Sequence, residues 1–358
     1  MCELILPEIC KQWIVTGKDG VGSLQYVERP LPQFGDNEVL VKSKLTFNPS
    51  SRFRDLLVPK GEYPWEVKDG VVPGSDGAGT VLAIGKNVTR FRPGDKVVTM
   101  LLPKNIGGPA NEKAMTTGLG ATLDGTLRTV GVFDEQGLVA MPEGLSFVEA
   151  ATLSCAGVTA WNALFGMPGR PLSAGQWVLT QGTGGVSTFA VQFAKAVGAR
   201  VIATTSTSEK ARFLKTLGAD HVINYRDNTN WGATAKELTG GIGVDMVVEV
   251  TGPTSLKQSV ASAKLDGIIS VVGFVGGMES REPMPTLLDT WAHFFTARGL
   301  WVGNRVQMED MCRAIEANVD KLRPVVDPKT FTLEQLKEAF EYMESGKNQG
   351  KVCISISD

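Results

Sequence analysis

Residues 177–205, WVLTQGTGGVSTFAVQFAKAVGARVIATT, constrain the fold more than any other stretch. An apolar run enters a glycine-rich turn, a helix with one apolar face follows, and a second apolar run closes the unit. Two strands joined through a helix lie parallel, and a parallel sheet needs helices on its faces. Gly182 permits the tight turn, and Gly184 lets the backbone approach a pyrophosphate at the positive end of the helix. Ser187 stands where the third glycine of GxGxxG is usual, and it is small enough for close helix-to-strand packing. The candidates to line a dinucleotide are therefore Gly182, Thr183, Gly184, Gly185 and Val186. A glycine turn alone is also compatible with a purely structural connection, so the reading leans on its strand-turn-helix-strand context.

The second strand of this unit ends at Thr205, Ser206 and Thr207, where an NAD enzyme would place a carboxylate for the ribose 2′-hydroxyl. Without that acid a 2′-phosphate is not repelled. Lys210, at the start of the next helix, supplies a flexible cation for it, and the expected coenzyme is NADPH. The alternatives stay open that Lys210 is a solvated surface lysine and that Tyr225, proposed to lie against the adenine or phosphate edge, is a half-exposed strand-end aromatic.

At 358 residues the chain suits two domains. From about residue 12 to 150, runs such as EVLVKSKL, GAGTVLAIG, DKVVTML, TLRTVGVF and LVAMP are punctuated by Gly and Pro, which predicts an irregular, mostly antiparallel β domain. From about 147 apolar strands alternate with amphipathic helices, beginning with a helix over LSFVEAATLSCAGVTAWNALF. Six strands are expected at WVLTQG, ARVIATT, HVINY, VDMVVEV, GIISVVGF and RGLWVG, the number of a doubly wound dinucleotide fold. Two helices, MEDMCRAIEANVD and LEQLKEAFEYMES, a β run, RPVVDPKTF, and a last strand, KVCISIS, complete the chain. The boundaries predicted are residues 1–147 plus 303–358 for the first domain and 148–302 for an inserted nucleotide domain. Residues 103–124 look like one long loop bordering the active-site mouth.

Composition removes several classes. A net charge of −2 with scattered Lys and Arg gives a polyanion nothing to grip, so no nucleic-acid partner is expected. The opening MCELILPEICKQWIV carries acids and a proline where a secretory signal needs a basic segment and an apolar core, and no run reaches about 18 apolar residues. No membrane partner follows, and a cytoplasmic protein is expected. Five widely spaced cysteines without CxxC, and only His221 and His293, supply neither a disulfide framework nor a cysteine or histidine metal cluster.

Reading outward from the glycine turn, the stretches VVPGSDGAGTVLAIGKNVTRFRPGDKVV, GLVAMPEGLSFVEAATLSCAGVTAWNAL, TQGTGGVS, LGADHVINY and GKVCISI occur in order. Together they resemble the zinc-free branch of the medium-chain dehydrogenase/reductases, close to quinone oxidoreductases and zinc-type alcohol dehydrogenase-like proteins. The resemblance implies an α/β protein in which a Rossmann doubly wound parallel sheet is inserted into a GroES-like, β-rich catalytic domain, with substrate in the cleft between them. It also implies roles for Thr159 against nicotinamide, for Gly273, Phe274 and Val275 around the carboxamide, and for Gly303, Asn304, Arg305, Gln349 and Lys351 as segments closing over the coenzyme. Helix capping by Thr159 is an equal alternative. A homodimer formed through the edge of the Rossmann sheet is implied as well.

Zinc-dependent members carry a cysteine, a histidine before an acid, and a second cysteine; here Asn48 and Ser75 stand at the first two places and Cys155 survives. No cysteine lies between Cys10 and Cys155, where relatives carry a structural zinc lobe. One thiolate cannot make a tetrahedral site, so neither zinc is expected. Cys155 then reads as a packing residue, with a reactive thiol as the alternative.

A metal-free site must stabilise the charge left by hydride transfer with hydrogen bonds and cations. An enolate or hydroquinone anion is a weaker base than an alkoxide, which places conjugated carbonyls, quinones and enones first among small-molecule substrates. The candidate catalytic donors are Asn48, Arg54 and Tyr63; Arg52, Ser75 and Thr159 are the candidate substrate contacts. Against these, Arg54 could instead pair with Asp55 or Asp76, and Tyr63 could simply pack in a Tyr-Pro turn. Two other functions stay open: an enoyl or carbonyl reductase of natural-product intermediates, and a non-catalytic NADPH-binding protein.

Overall fold

The computed structural model describes residues 6–46, 54–109, 111–280 and 283–356. Two units emerge: Met1–Val158 with Asn304–Val319 and Arg323–Asp358, and Thr159–Gly303 with Asp320–Leu322.

The first unit opens with an antiparallel pair, β1 (Ile9–Val15) and β2 (Leu24–Pro30), which the sequence reading did not anticipate. β3 (Glu38–Thr46), helix α1 (Arg54–Lys60), β4 (Gly77–Ile84) and β5 (Lys96–Thr99) follow. The stretch 103–124, expected as plain loop, contains a short helix, α2 (Glu112–Met115), capped by Asn111. β6 (Val130–Asp134) and β7 (Leu138–Ala140) complete this run. The strand expected from Thr126 begins only at Val130, because the amides of Thr126 and Leu127 bond instead to the carbonyls of Gly74 and Pro73.

The expected single helix over 145–165 is broken. α3 (Phe147–Ala150), closed by a Ser146–Glu149 capping box, leads into a π-helical turn, Leu153–Gly157, and then α4 (Val158–Phe165). A π turn inside a helix re-aims the side chains around it and is frequent at functional sites. Gly157 suits it sterically, since a Cβ there would lie 3.2 Å from the Met311 sulfur.

The second unit alternates β8 (Trp177–Gln181), α5 (Gly185–Ala196), β9 (Arg200–Thr205), α6 (Ser208–Thr216), β10 (His221–Asn224), α7 (Trp231–Leu238), β11 (Val244–Glu249), α8 (Leu256–Ser262), β12 (Ala263–Val271), α9 (Leu287–Ala292) and β13 (Thr296–Gly299). Among the described residues its strands form one parallel sheet in the order β10-β9-β8-β11-β12-β13, with the direction of winding reversing between β8 and β11. Leu179, Ile202, Ile223, Trp231, Val247 and Ile269 make its core. Two strands sit earlier than their apolar runs suggested: β12 ends at Val271 and β13 at Gly299. Residues 300–303 therefore lie beyond the strand end, and Val302 leaves extended geometry altogether with φ +49.

Back in the first unit come α10 (Arg305–Glu316), then α11 (Val319–Leu322) shared between units, β14 (Val326–Thr332), α12 (Leu336–Glu344) and β15 (Lys351–Ser355). β15 slots between β14 and β3 in a sheet ordered β14-β15-β3-β4-β5-β7, with β6 also on β3. α12 presents Leu336, Phe340 and Met343 to Trp13, Leu127, Phe331 and Ile354 in the main core of this unit. Among the described residues no helix is long and apolar enough to cross a membrane.

Candidate active site

The parallel sheet sends every strand's carboxyl end to the same edge, the place where open α/β sheets bind ligands, most often at the reversal of winding. The turn after β8 sits at that reversal. Gly182 adopts φ +76, a left-handed conformation natural to glycine, while its amide donates to the Thr204 carbonyl at 2.7 Å. Gly184 is the N-cap of α5, and a Cβ at either glycine would meet open space. Thr183, Gly185 and Val186 complete the turn, and as at any helix start the first-turn amides lack intrahelical acceptors. Ser187 is buried and its hydroxyl donates to the Gln181 carbonyl at 2.6 Å, tying helix to strand where glycine is more common. A cradle of free amides with room above it fits a pyrophosphate.

At the next strand end Thr205 is buried and its Oγ1 has no partner among the described residues. Ser206 follows, and Thr207 caps α6 by accepting the Lys210 amide at 3.3 Å. Tyr225, 42% exposed just past β10, donates its amide to the Thr205 carbonyl at 2.9 Å. Thr205, followed by Ser206, ends β9 beside the end of β10, which Tyr225 follows, and the first turn of α6 brings Glu209 and Lys210 shortly after them.

Two residues the sequence reading missed hold this edge in place. Glu249, fully buried at the end of β11, accepts from the amides of Thr251 and Gly252 at 2.9 Å each, from Ser255 Oγ at 2.7 Å, from Gln181 Nε2 at 2.7 Å and from Ser259 Oγ. Gln181 returns its Oε1 to the amides of Val250 and Thr251. A carboxylate so supplied with donors locks the turns after β8 and β11 to each other. Its signal was a lone acid closing the apolar run MVVE.

The segment after β12 is laced back to β11: the Val275 amide donates to the Val250 carbonyl at 3.0 Å and that of Gly276 to Thr251 at 2.8 Å. Gly273 and Phe274 lie half-buried in it, and Gly252 has no room for a Cβ, which would approach Phe274 Cα to 2.8 Å. Thr159 is buried in the first turn of α4, and Gly303 follows the end of β13.

In the first unit a different kind of cluster forms. Ser75 and Asp76 are buried, with the Ser75 hydroxyl donating to Asp76 Oδ1 at 3.1 Å and the Thr99 hydroxyl to the Ser75 carbonyl at 2.8 Å. Asp55 is buried nearby in sequence to the helix start, and Cys155 is half-buried in the π turn. Lys351 belongs to the same group. Its side chain is 1% exposed, and its Nζ has no hydrogen-bond partner among the described residues. Burial lowers its proton affinity, and the charges of Asp76, Cys155, Cys353 and Asp55 partly restore it. Burial also pushes the Cys353 thiol up to about 12, which keeps it protonated and unreactive. Among the described residues no group of three or more His, Cys, Asp or Glu is arranged to hold a metal.

The remaining candidates separate. Tyr63 is half-buried against the core, its ring 5.2 Å from that of Trp65, and both line a cavity of about 450 Å³ with Val15, Val58, Lys18 and Lys68. Asn48 and Arg52 lie outside the described residues; Arg54 opens α1. Asn304 is the N-cap of α10, accepting the Gln307 amide at 2.9 Å, and the Arg305 guanidinium is tied to the Gln136 carbonyl at 3.4 Å and Glu309 at 3.4 Å. Those bonds give Arg305 a structural use that the sequence reading did not assign. The Gln349 amide donates to Asp327 at 2.7 Å.

Comparison with known proteins places this geometry. The alcohol dehydrogenase GroES-like domain family matches residues 35–143, and the zinc-binding dehydrogenase family matches residues 185–317. A zinc-type alcohol dehydrogenase-like protein of Schizosaccharomyces pombe is 42% identical over 342 residues, 94% of this chain and 96% of that protein. The crystal structure of an NAD-dependent alcohol dehydrogenase superposes with a TM-score of 0.84 at 29% identity, covering 97% of this chain and 100% of the other. A quinone oxidoreductase of Pseudomonas syringae pv. Tomato DC3000 gives a TM-score of 0.79 at 25% identity, covering 97% and 99%.

Proposed function

Because this chain belongs to the medium-chain dehydrogenase/reductase superfamily, we propose that it is an NADPH-dependent, zinc-independent reductase of quinones, enones or other activated carbonyls. The family makes it an oxidoreductase with a nicotinamide coenzyme; the choice of NADPH rests on the strand end at Thr205. No carboxylate stands at Thr205, Ser206 or Thr207, the strand end that would claim a ribose 2′-hydroxyl; Glu209 follows in the first turn of α6, and Lys210 beside it supplies a cation for a 2′-phosphate. The uncharged strand end at Thr205, Ser206 and Thr207 is the observation that carries the reading.

A reduced nicotinamide coenzyme, when bound, would supply hydride to an electrophilic carbon of the substrate. The chain does the rest. The amides of Gly184, Gly185 and Val186 would hold the pyrophosphate, and Thr159 with Gly273, Phe274 and Val275 would orient the reactive ring. Asn48, Arg54 and Tyr63 are the proposed donors to the developing enolate or hydroquinone oxygen, and Arg52 and Ser75 the proposed substrate contacts. Zinc independence is supported by the donor set: Ser75 stands where zinc-dependent relatives carry a histidine, and its hydroxyl donates to Asp76 Oδ1 at 3.1 Å. We assign residues 1–147 and 303–358 to the catalytic domain and 148–302 to the coenzyme domain of a cytoplasmic enzyme. A homodimer is favoured by the open edge at β13 and by Leu287, Leu288, Trp291 and Phe294, all exposed on the adjoining segment.

The test is calorimetric titration with NADPH and NADH, followed by coenzyme oxidation across quinones, enones, enoyl thioesters and simple ketones. NADPH is expected to bind more tightly, with Lys210→Ala cutting that preference by about tenfold. Tighter binding of NADH, or stoichiometric zinc by elemental analysis, overturns the proposal.

A further inference from the structure

Val302 is buried, β-branched and held at φ +49. A branched side chain strongly disfavours that left-handed region, and such strain persists only where the surroundings impose it. The surroundings here are specific. Asn162 on α4 donates its Nδ2 to the Val302 carbonyl at 2.6 Å. Asn162 is itself fixed, because Arg298 on β13 donates Nη1 to its backbone carbonyl at 2.9 Å and Nη2 to its Oδ1 at 2.5 Å. Both polar atoms of the Asn162 amide are thereby used, and the amide is buried.

The position of this strained residue gives it meaning. Leu300 donates its amide to the Val271 carbonyl at 3.1 Å, which anchors the segment after β13 beside the end of β12. Val302 therefore stands at the carboxyl edge of the sheet. The phosphate-bearing adenosine site at β9 lies on one side of the Gly182 turn, and β11, β12 and β13 lie on the other. Four strand spacings, roughly 19 Å, separate β9 from β13. A dinucleotide with its pyrophosphate over the turn extends its second half toward the β13 side.

We propose that Asn162, clamped by Arg298, is a positioning residue that forces the Val302 backbone into the shape that receives the nicotinamide half of the coenzyme. Neither side chain touches the reacting atoms; the Arg298–Asn162–Val302 chain acts by presenting main-chain groups in one orientation. The inference rests on the coenzyme reading above and deepens it.

The experiment compares two ligands on the full chain: NADPH, and 2′-phospho-ADP-ribose, which keeps the adenosine half and lacks nicotinamide. Asn162→Ala is expected to weaken NADPH by about tenfold, the scale of a lost buried hydrogen bond, while 2′-phospho-ADP-ribose stays within about twofold. Should the alanine variant fail to fold, Asn162→Asp supplies the same comparison: it is isosteric, keeps the acceptor for Arg298 and loses the donor to Val302. Equal weakening of both ligands, or no change in either, overturns the clamp. Failure of the unmodified protein to bind either ligand overturns the coenzyme reading beneath it, so the two failures are told apart.

Discussion

The two units build polar sites in opposite ways. Along the parallel sheet the site is made of main chain, and its buried acid among the described residues, Glu249, is met by five donors. In the first unit the site is made of side chains, and its buried cation, Lys351, has a Nζ with no hydrogen-bond partner among the described residues. A saturated group is scaffolding: it lowers the energy of one geometry. An unsaturated one is a stored demand, since a buried charge without hydrogen bonds costs stability until something else answers it. The contrast sets a saturated network at the carboxyl edge of the parallel sheet against an unsaturated side chain in the first unit.

The comparison breaks most visibly at Glu249. Glu249→Ala strands five donors and should cost about 3 kcal/mol by chemical denaturation, with Glu249→Gln intermediate. A loss below about 1 kcal/mol would mean that the network decorates the edge without holding it.

Gly184 sharpens the main-chain half. Its φ is −71 and an added Cβ meets open protein space, so Gly184→Ala should leave the melting temperature almost unchanged. The same methyl occupies the volume above the helix start, and NADPH affinity by calorimetry should fall at least about tenfold. Unaltered affinity would move the pyrophosphate elsewhere.

Lys351 supplies the smallest effect and the clearest sign. Burial lowers its proton affinity in the folded state, so the unfolded chain keeps that proton to higher pH. Between the lowered value and the ordinary 10.5 the unfolded state binds more protons, and stability contributed by this group rises with pH. Lys351→Met removes the titration. The unfolding free energies of the two proteins should diverge in favour of the unmodified protein as pH rises toward 10.5. Parallel curves would show that the ammonium is answered within the fold.

The same contrast explains what could be read from residues alone. Main-chain sites leave spacing signatures: Gly182 and Gly184 before an amphipathic helix, and Thr205 at the end of an apolar run, were legible because backbone geometry dictates residue type locally. The six strands of the parallel sheet followed from the alternation of strands and helices; their order along the sheet did not. Side-chain sites assembled from distant segments leave no such trace. Asp76 and Lys351 are far apart in sequence, and nothing in GKVCISI announces a buried lysine. Asn162 was invisible for the same reason, since its role depends on a φ value at Val302. The break of the 145–165 helix was also hidden, because π and α turns use the same apolar residues and differ only in one inserted position.

One consequence reaches back to how the chain is made. β15 fills the gap between β14 and β3, pairing Ile354 with Thr46 about 300 residues earlier. During synthesis β3 must wait for a neighbour that emerges about 300 residues later, while nearly all of the second unit leaves the ribosome as one uninterrupted stretch and can fold first. The strand that finishes the first sheet also begins with Lys351, so the buried ammonium is installed as the last sheet closes.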